Sequence, residues 1–198
     1  MDCFRAHVQH QDRYDQGTSS PPRHYGPGVD VVLVYPEIAN NTGAIIRLCA
    51  NTGARLHLVE PLGFSLDDAL LKRAGLDYHE HADMLVHESL DAAAAALPGR
   101  WWGFSSHATT RYTEAPIESD DTLVFGAERG GLDAASIDRI GTERMLTIPM
   151  QAESRSLNLA NAVSVVVYDA WRRQGFPGAV DHASSLTSES LSGPSFDP

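Results

Sequence analysis

The sequence predicts one α/β domain in which a parallel β-sheet carries helices on both faces. Short β-rich runs alternate with helical patterns along the chain, the order expected of parallel strands joined by helices. The length of 198 residues, 42% of them hydrophobic, suits one domain able to bury a substantial core. Residues 1–28 and 179–198 are polar and lack periodicity, so both are expected to be flexible tails around a domain at 29–178.

The predicted elements follow from local composition and periodicity. Five runs are predicted as strands, with a weaker sixth candidate at Asp83–Val86: Val29–Tyr35, Arg55–Glu60, Trp101–Ser105, Thr122–Phe125 and Arg144–Ile148. Four helices are predicted: one capped by Asn40 or Asn41 and closed by Gly53, then Leu66–Ala74, Ser89–Leu97 and Asn158–Gln174. The last is the longest, and its apolar spacing predicts burial in the core or in a subunit interface.

Composition disfavours several functional classes. No apolar run approaches the roughly 18 residues that a membrane span requires, and Met1–Gln16 is polar, so we expect a cytoplasmic protein. Cys3 and Cys49 indicate neither a disulfide framework nor a metal motif. Tyr78–His81 lacks a third ligand at a usual spacing, so no metal is predicted. Trp101 and Trp102 are expected to be core or interface aromatics and not stacking platforms for bases.

The net charge of −11 disfavours nonspecific binding to long nucleic acids, because such binding depends on a basic surface that neutralises phosphates. A local basic site remains compatible with this charge. Any RNA site must then be built from a few well-placed arginines.

Three segments lie where predicted strands meet loops or helices, which is where open α/β sheets place their sites. In Pro36–Arg47, Asn41 and Arg47 can project toward the edge of the sheet beside a helix N-terminus. The alternative is that Asn41 is only a cap and Arg47 only a surface charge.

The second segment, Leu123–Leu132, is a strand that runs into a glycine-rich loop, which lets backbone approach a ligand closely. It matches neither the dinucleotide-binding glycine pattern nor a phosphate-binding P-loop. Glu128 in this loop is either a site residue or a carboxylate paired with a nearby arginine.

The third segment, Ile148–Val165, places a polar loop between a strand and the last helix. Ser156 or Asn158 can cap that helix, and capping alone would explain both residues. Ser156 lacks the glycine-flanked turn of a hydrolase nucleophile, so a hydrolase triad is not supported.

Taken together and in this order, the three segments resemble the SPOUT methyltransferase superfamily, most closely its branch of tRNA (cytidine/uridine-34 2′-O)-methyltransferases. The likeness covers about Val31 to Val180 and includes the stretches Asn41–Gly53, Arg73–Glu80 and Asn161–Trp171. The resemblance implies a SPOUT fold, in which the C-terminal part of the sheet is threaded into a deep trefoil knot, an exception to the rule that chains avoid knots. It also implies a homodimer.

The resemblance further implies S-adenosylmethionine as cofactor, held in a bent shape at the positions of Phe104, Gly126, Ile148 and Ser156. The implied reaction is methyl transfer to the ribose 2′-hydroxyl of the wobble nucleotide, position 34, of leucine tRNAs. It assigns catalysis to Arg47, supported by Asn41, Glu128, Ser156 and Asn158. Because a guanidinium stays protonated near neutrality, we expect Arg47 to orient the target phosphate and to lower the pKa of the hydroxyl.

The expected RNA-binding patch draws on Arg47, Arg73, Arg129 and Arg155, from one or both subunits. Two departures from the branch pattern occur. Glu128-Arg129-Gly130-Gly131-Leu132 stands where the branch usually has Glu-Thr-Arg-Gly-Leu, and Ala160 stands where a serine is frequent. Alternative hypotheses are methylation of ribosomal RNA or another tRNA position, and a knotted RNA-binding dimer without turnover.

Overall fold

The protein is described by a computed structural model over residues 28–66 and 84–180. The strands are β1 (Asp30–Val34), β2 (Arg55–Val59), β3 (Met84–His87), β4 (Trp101–Phe104), β5 (Thr110–Arg111), β6 (Thr122–Phe125) and β7 (Met145–Thr147). The α-helices are α1 (Ala39–Thr52), α2 (Leu90–Ala96), α3 (Ala134–Ile140) and α4 (Leu159–Arg173), with 3₁₀ turns at Tyr112–Glu114 and Thr142–Arg144. All six predicted strands are confirmed, whereas β5 and α3 were not predicted.

The strands form one seven-stranded sheet in the order β3-β2-β1-β6-β4-β7-β5, and each neighbouring pair is parallel. Successive side chains of a strand point to opposite faces. In β1, Leu33 packs on the side of α1 and α4, and Val32 packs on the side of α2 and α3. The predicted parallel sheet with helices on both faces is therefore confirmed.

The strand order places a topological switch point between β1 and β6. From β1 the chain winds outward through β2 to β3, whereas the later strands lie on the other side, beginning with β6. The loop after β1 leads to α1 on one face, and the loop after β6 leads to α3 on the other. The two loops lead to opposite faces of the sheet from one point at its carboxyl edge. Doubly wound sheets bind ligands in the crevice at such a point.

The ends of the helices correct one prediction and confirm others. Helix α1 begins at Ala39 after Ile38, so the predicted cap by Asn40 or Asn41 is wrong. Gly53 ends it with φ 75°, a left-handed conformation that glycine adopts without steric cost, and its N–H donates to the Cys49 carbonyl. Ser89 accepts from the Ala92 N–H at the start of α2, 3.1 Å away. The helix predicted at Leu66–Ala74 lies outside the described residues except for Leu66.

Trp101 and Trp102 are buried, which confirms them as core aromatics. The Trp102 indole N–H donates to the Asp121 carboxylate at 2.8 Å, so its polar atom is satisfied inside the core. None of the helices in residues 28–66 and 84–180 has the length and apolar character needed to cross a membrane. In the same residues, no group of three or more His, Cys, Asp or Glu side chains could hold a metal ion.

A buried polar cluster lies on the β1–β3 side of the sheet, away from the crevice. Arg55 donates to both Asp30 carboxylate oxygens, at 2.6 and 2.7 Å, and His57 bridges Asp30 at 3.1 Å and His87 at 3.0 Å. Burial alone would raise the pKa of Asp30, but hydrogen bonds and positive charge from His57 and Arg55 outweigh it and lower that pKa. Burial and the neighbouring His57 lower the pKa of His87.

Candidate active site at the carboxyl edge of the sheet

Glu128, in the loop after β6, supplies the hydrogen-bond acceptors at the start of α1. Its carboxylate accepts from the Glu37 N–H at 2.7 Å, from the Ile38 N–H at 3.2 Å and from the Asn41 side-chain amide at 3.0 Å. The first N–H groups of a helix have no partner within the helix, and a negative charge there is favourable. Of these donors, only the Ile38 N–H belongs to the end of the helix, so Glu128 caps α1 through one main-chain donor, from about ninety residues away along the chain.

The two loops bind each other reciprocally. While Glu128 accepts from the main chain at Glu37, the Glu37 carboxylate accepts from the Arg129 N–H at 3.2 Å. The alternative in which Glu128 pairs with an arginine is not observed among the described residues. Hydrogen bonds from main chain to side chain, one in each direction, thus join the two loops at the switch point.

Asn41 extends this contact to the third predicted segment. Its side-chain oxygen accepts from the Asn158 amide at 2.9 Å, while its own amide donates to Glu128. Asn158 also caps α4, because its oxygen accepts from the Asn161 N–H at 3.3 Å. The hydrogen-bonded chain Glu128–Asn41–Asn158 fixes both amide orientations and joins the three predicted segments at one point.

Arg47 and Ser156, the two remaining predicted catalytic residues, take no part in the hydrogen bonds that join Glu128, Asn41 and Asn158. Arg47 is exposed on α1, and six helical residues turn it by about 240° from buried Asn41. The two side chains therefore lie on different sides of α1, and their joint role at the site stays a prediction. Ser156 is exposed in the loop before α4, and the cap of that helix is Asn158 instead.

The residues predicted for a cofactor lie along adjacent strands. Phe104 ends β4, and its ring stacks on Phe125 at the end of β6 with centroids 4.5 Å apart. Ile148 follows β7 and packs half-buried against the same core. Because β4 lies between β6 and β7, these largely buried apolar side chains lie on adjacent strands of one core cluster and are called the apolar floor of the carboxyl edge.

Gly126 begins the loop after β6 at a place with no room for a side chain. A Cβ there would lie 2.0 Å from the Gly131 carbonyl carbon and 2.2 Å from the Leu132 nitrogen. The loop closes on itself through hydrogen bonds in both directions between Ala127 and Gly131. Glycine therefore lets this loop fold back tightly over the end of its own strand.

The loop at 148–158 offers exposed polar groups above the apolar floor. Within the described residues, the main-chain N–H groups of 155–157 donate to no other main-chain carbonyl. These groups can bind a ligand that presents polar edges around a flat apolar ring, since apolar pockets with a few placed polar groups are the usual ligand sites. Their chemistry suits a nucleoside.

The arginines differ in whether a carboxylate neutralises them. Among the described residues, Arg111, Arg129 and Arg155 have no ion pair and are exposed on β5 or in loops at the carboxyl edge. Elsewhere, side-chain carboxylates lie within ion-pair distance of Arg55, Arg100, Arg139, Arg144, Arg172 and Arg173. Arg73 lies outside the described residues. Three arginines without an ion pair among the described residues therefore lie at the carboxyl edge.

Two features of the site escaped prediction. Glu37 contributes a carboxylate to the crevice, and Arg111 adds a positive charge on a two-residue strand. The signal for Glu37 was present, since it lies three residues after β1 within the first segment. Nothing in the local sequence marks β5, because two exposed residues cannot carry a pattern of burial.

A doubly wound parallel sheet with its polar groups at a switch point is the arrangement in which α/β proteins bind small molecules at the carboxyl edge. The chain belongs to the SpoU rRNA Methylase family, whose sequence profile matches residues 28–168.

This chain aligns with nearly the whole length of the curated relatives it matches. A tRNA (cytidine(34)-2′-O)-methyltransferase of Burkholderia pseudomallei (strain 1106a) is 55% identical over 152 residues, which is 75% of this chain and 97% of the relative. The enzyme of the same name from Escherichia coli (strain K12) is 49% identical over 153 residues, which is 77% of this chain and 98% of the relative.

Solved structures agree with the fold. One, described as "Structural insights into the 2-OH methylation of C/U34 on tRNA", is 42% identical and covers 76% of this chain and 99% of its own, with a TM-score of 0.72. A SpoU methyltransferase of Streptomyces viridochromogenes in complex with AdoMet is 23% identical and covers 75% of this chain and 58% of its own, with a TM-score of 0.64. The seven-stranded parallel sheet is therefore the fold of SPOUT methyltransferases.

Proposed function

We propose that the protein transfers a methyl group from S-adenosylmethionine to the ribose 2′-hydroxyl of nucleotide 34 of tRNA, a cytidine or a modified uridine. The observation that carries the proposal is the hydrogen-bonded chain Glu128–Asn41–Asn158, which gathers the three segments at the switch point. The names of relatives with about half of their residues identical support the same substrate.

S-adenosylmethionine supplies an electrophilic methyl group when it is bound. The residues that would hold it are Phe104, Gly126, Ile148 and Ser156. The fit rests on the apolar floor around the Phe104–Phe125 stack, the tightly folded loop at Gly126 and the exposed main-chain polar groups beside Ser156. An apolar floor under polar main-chain groups matches the ring and edges of an adenosine.

The chain of Glu128, Asn41 and Asn158 positions the catalytic helix. Because Glu128 caps α1, the helix starts at a fixed place relative to β6, and Asn158 fixes it relative to α4. Arg47 lies on the exposed side of α1 and is assigned to the target phosphate and hydroxyl. A guanidinium is a poor base near neutrality, so its contribution is orientation and electrostatic stabilisation of the alkoxide that forms. Ser156 completes the predicted catalytic set.

The tRNA would bind across the carboxyl edge. Arg129 in the loop after β6 and Arg155 in the loop at 148–158 have no ion pair among the described residues, and Arg111 adds to them. Arg47 and Arg73 are proposed as further contacts. Since the chain carries a net charge of −11, the affinity must come from these few phosphate contacts and from the shape of the tRNA.

Further proposals concern organisation. We propose a cytoplasmic homodimer with a domain at 29–178, flexible tails at 1–28 and 179–198, and a trefoil knot formed by the C-terminal part of the sheet. Exposed Val165 and Tyr168 on α4 support an interface on that helix. Leucine tRNAs are proposed as the isoacceptors.

The test is transfer of labelled methyl groups from S-adenosylmethionine to total tRNA, followed by nuclease mapping. We expect label in a 2′-O-methylated nucleotide 34, and we expect Arg47→Ala to abolish it. Arg139→Ala is the matched control, because Arg139 is also an exposed helical arginine but lies on α3 beside Asp91. Label at another nucleotide, or only in ribosomal RNA, would refute the assigned substrate, and cofactor binding without transfer to any RNA would refute turnover.

A further inference from the structure

Arg173, the last residue of α4, makes contacts that the proposed reaction does not use. Its guanidinium donates to the main-chain carbonyls of Ala115 at 2.7 Å, Thr113 at 3.0 Å and Tyr112 at 3.5 Å. It also donates to the Asp169 carboxylate at 2.8 Å. The Arg173 side chain is only 25% exposed, so most of it is packed between the helix and the turn at 112–115.

The turn at 112–115 ends the segment that leaves β4 directly after Phe104. This segment is tied at its start, where the Ser105 N–H donates to the Leu146 carbonyl at 2.9 Å, and along β5, which pairs with β7. Most of its residues between 105 and 114 are exposed and contribute little to the core. Its shape therefore depends on a few hydrogen bonds, and Arg173 provides three of them.

The strand that pairs with this segment also leads into the site. Leu146 and Thr147 of β7 are paired with β5 and are followed immediately by Ile148 and the polar loop. Movement of the segment would therefore disturb both Phe104 at its start and Ile148 beyond β7. Helix α4 holds the site at both ends, through Asn158 at its start and through Arg173 at its end.

We infer that Arg173 is a positioning residue that holds the segment at 105–115 in the shape that binds the cofactor; this inference rests on the proposed function. A planar guanidinium suits the task, because its donors are fixed in one fork and can satisfy several carbonyls together. A lysine would keep the charge but could not reproduce the fork.

The chain provides a matched control in Arg172. It shares the Asp169 partner, with a shortest contact of 2.8 Å, but its side chain is 61% exposed and makes no contact with the turn among the described residues. Replacing either arginine removes one positive charge and one ion pair on the same helix. Only replacement of Arg173 removes the hydrogen bonds to the turn.

The experiment measures binding of S-adenosylhomocysteine by calorimetry, together with hydrogen exchange of the amides at 105–115, for the full-length chain. We expect Arg173→Ala to weaken binding about tenfold, since the segment must then be ordered when the ligand binds. Arg172→Ala should stay within about twofold, as expected for an exposed ion pair. Exchange at 105–115 should accelerate in Arg173→Ala alone, and Arg173→Lys should be intermediate in both measurements.

Steady-state kinetics add a readout that a general loss of stability would not move. The KM for the cofactor should rise in Arg173→Ala, while kcat at saturating cofactor stays near the wild-type value. Equal affinity in the two alanine variants, or a fall in kcat with unchanged KM, would overturn the inference. If Arg173→Ala does not fold, the same measurements on Arg173→Lys, compared with Arg172→Lys, test the inference by the same criteria. Wild-type protein that binds no ligand would instead refute the proposed function on which the inference rests.

Discussion

Replacing Glu128 with alanine removes the only side chain that caps α1 in the described residues. Three N–H donors lose their acceptor, from Glu37, Ile38 and Asn41. Asn41 is 8% exposed and Glu37 is half-buried, so water replaces the carboxylate poorly at two of the three donors. An unsatisfied buried donor costs about 1–3 kcal/mol and a lost cap about 0.5–2 kcal/mol, and the terms overlap. We expect the free energy of unfolding to fall by about 2–4 kcal/mol.

The assay is equilibrium unfolding in urea at one fixed protein concentration, because the homodimer proposed above would make the stability depend on concentration. Glu153→Ala is the control. Glu153 is an exposed loop carboxylate without a side-chain hydrogen bond or ion pair in the described part of the chain. Its removal should change the free energy by less than about 0.5 kcal/mol. Glu128→Gln should fall between the two, since it keeps one acceptor but turns an NH₂ group toward a donor.

A loss below about 0.5 kcal/mol in Glu128→Ala would refute the capping argument, because it would mean that water caps the helix as well. A different pattern would assign Glu128 another role. If Glu128→Gln kept full stability and cofactor affinity but lost methyl transfer, the carboxylate would act on the substrate and not on the helix.

Other predictions concern packing, pH and salt. Gly126→Ala should destabilise the protein by about 3 kcal/mol in thermal unfolding, because its Cβ would overlap the Gly131 backbone at 2.0 Å. Gly130→Ala, where nothing lies within 4 Å of the added Cβ, is its control and should be near neutral. The pKa of His87 is lowered from its usual 6.5, so this residue binds fewer protons in the folded protein than in the unfolded chain. The free energy of unfolding of the protein should therefore fall as the pH drops below 6.5. His87→Gln should flatten that slope in urea titrations, and an unchanged slope would show that another group titrates. A plot of the logarithm of tRNA affinity against the logarithm of salt concentration should have a slope of about −4. A slope of about −9 or steeper would exclude binding through a few arginines.

The strands and the long helices could be predicted because burial leaves a local pattern in the sequence. β1 and β6 are buried along their whole length, and the apolar residues of α4 recur at helical spacing. Helix α3 was missed although Asp133 accepts from the Ser136 N–H as an ordinary cap, whereas the equally short α2 could be predicted from its run of alanines. The start of α1 was assigned wrongly because its cap, Glu128, is distant in sequence and no local pattern reports it.

Part of the candidate site could also be predicted from the sequence. Asn41, Glu128 and Asn158 were all selected, and they do meet, because the carboxyl ends of parallel strands share one edge. Their mutual geometry could not be predicted, since it depends on which strands are neighbours. That β6 lies beside β1, and not beside β7, is a property of the topology alone.

The distant cap has a consequence for the order in which the chain acquires its structure during synthesis. The unit β1–α1–β2 is synthesised before β6, yet the acceptor for the Ile38 N–H at the end of its helix arrives about ninety residues later with Glu128. Until then, that N–H has only water as its partner. The side-chain oxygen of Asn41 meets its donor later still, because Asn158 lies 117 residues away. A truncated chain that contains a complete α1 therefore lacks a finished site, and a ribosome stalled before β6 would hold a helix without its cap.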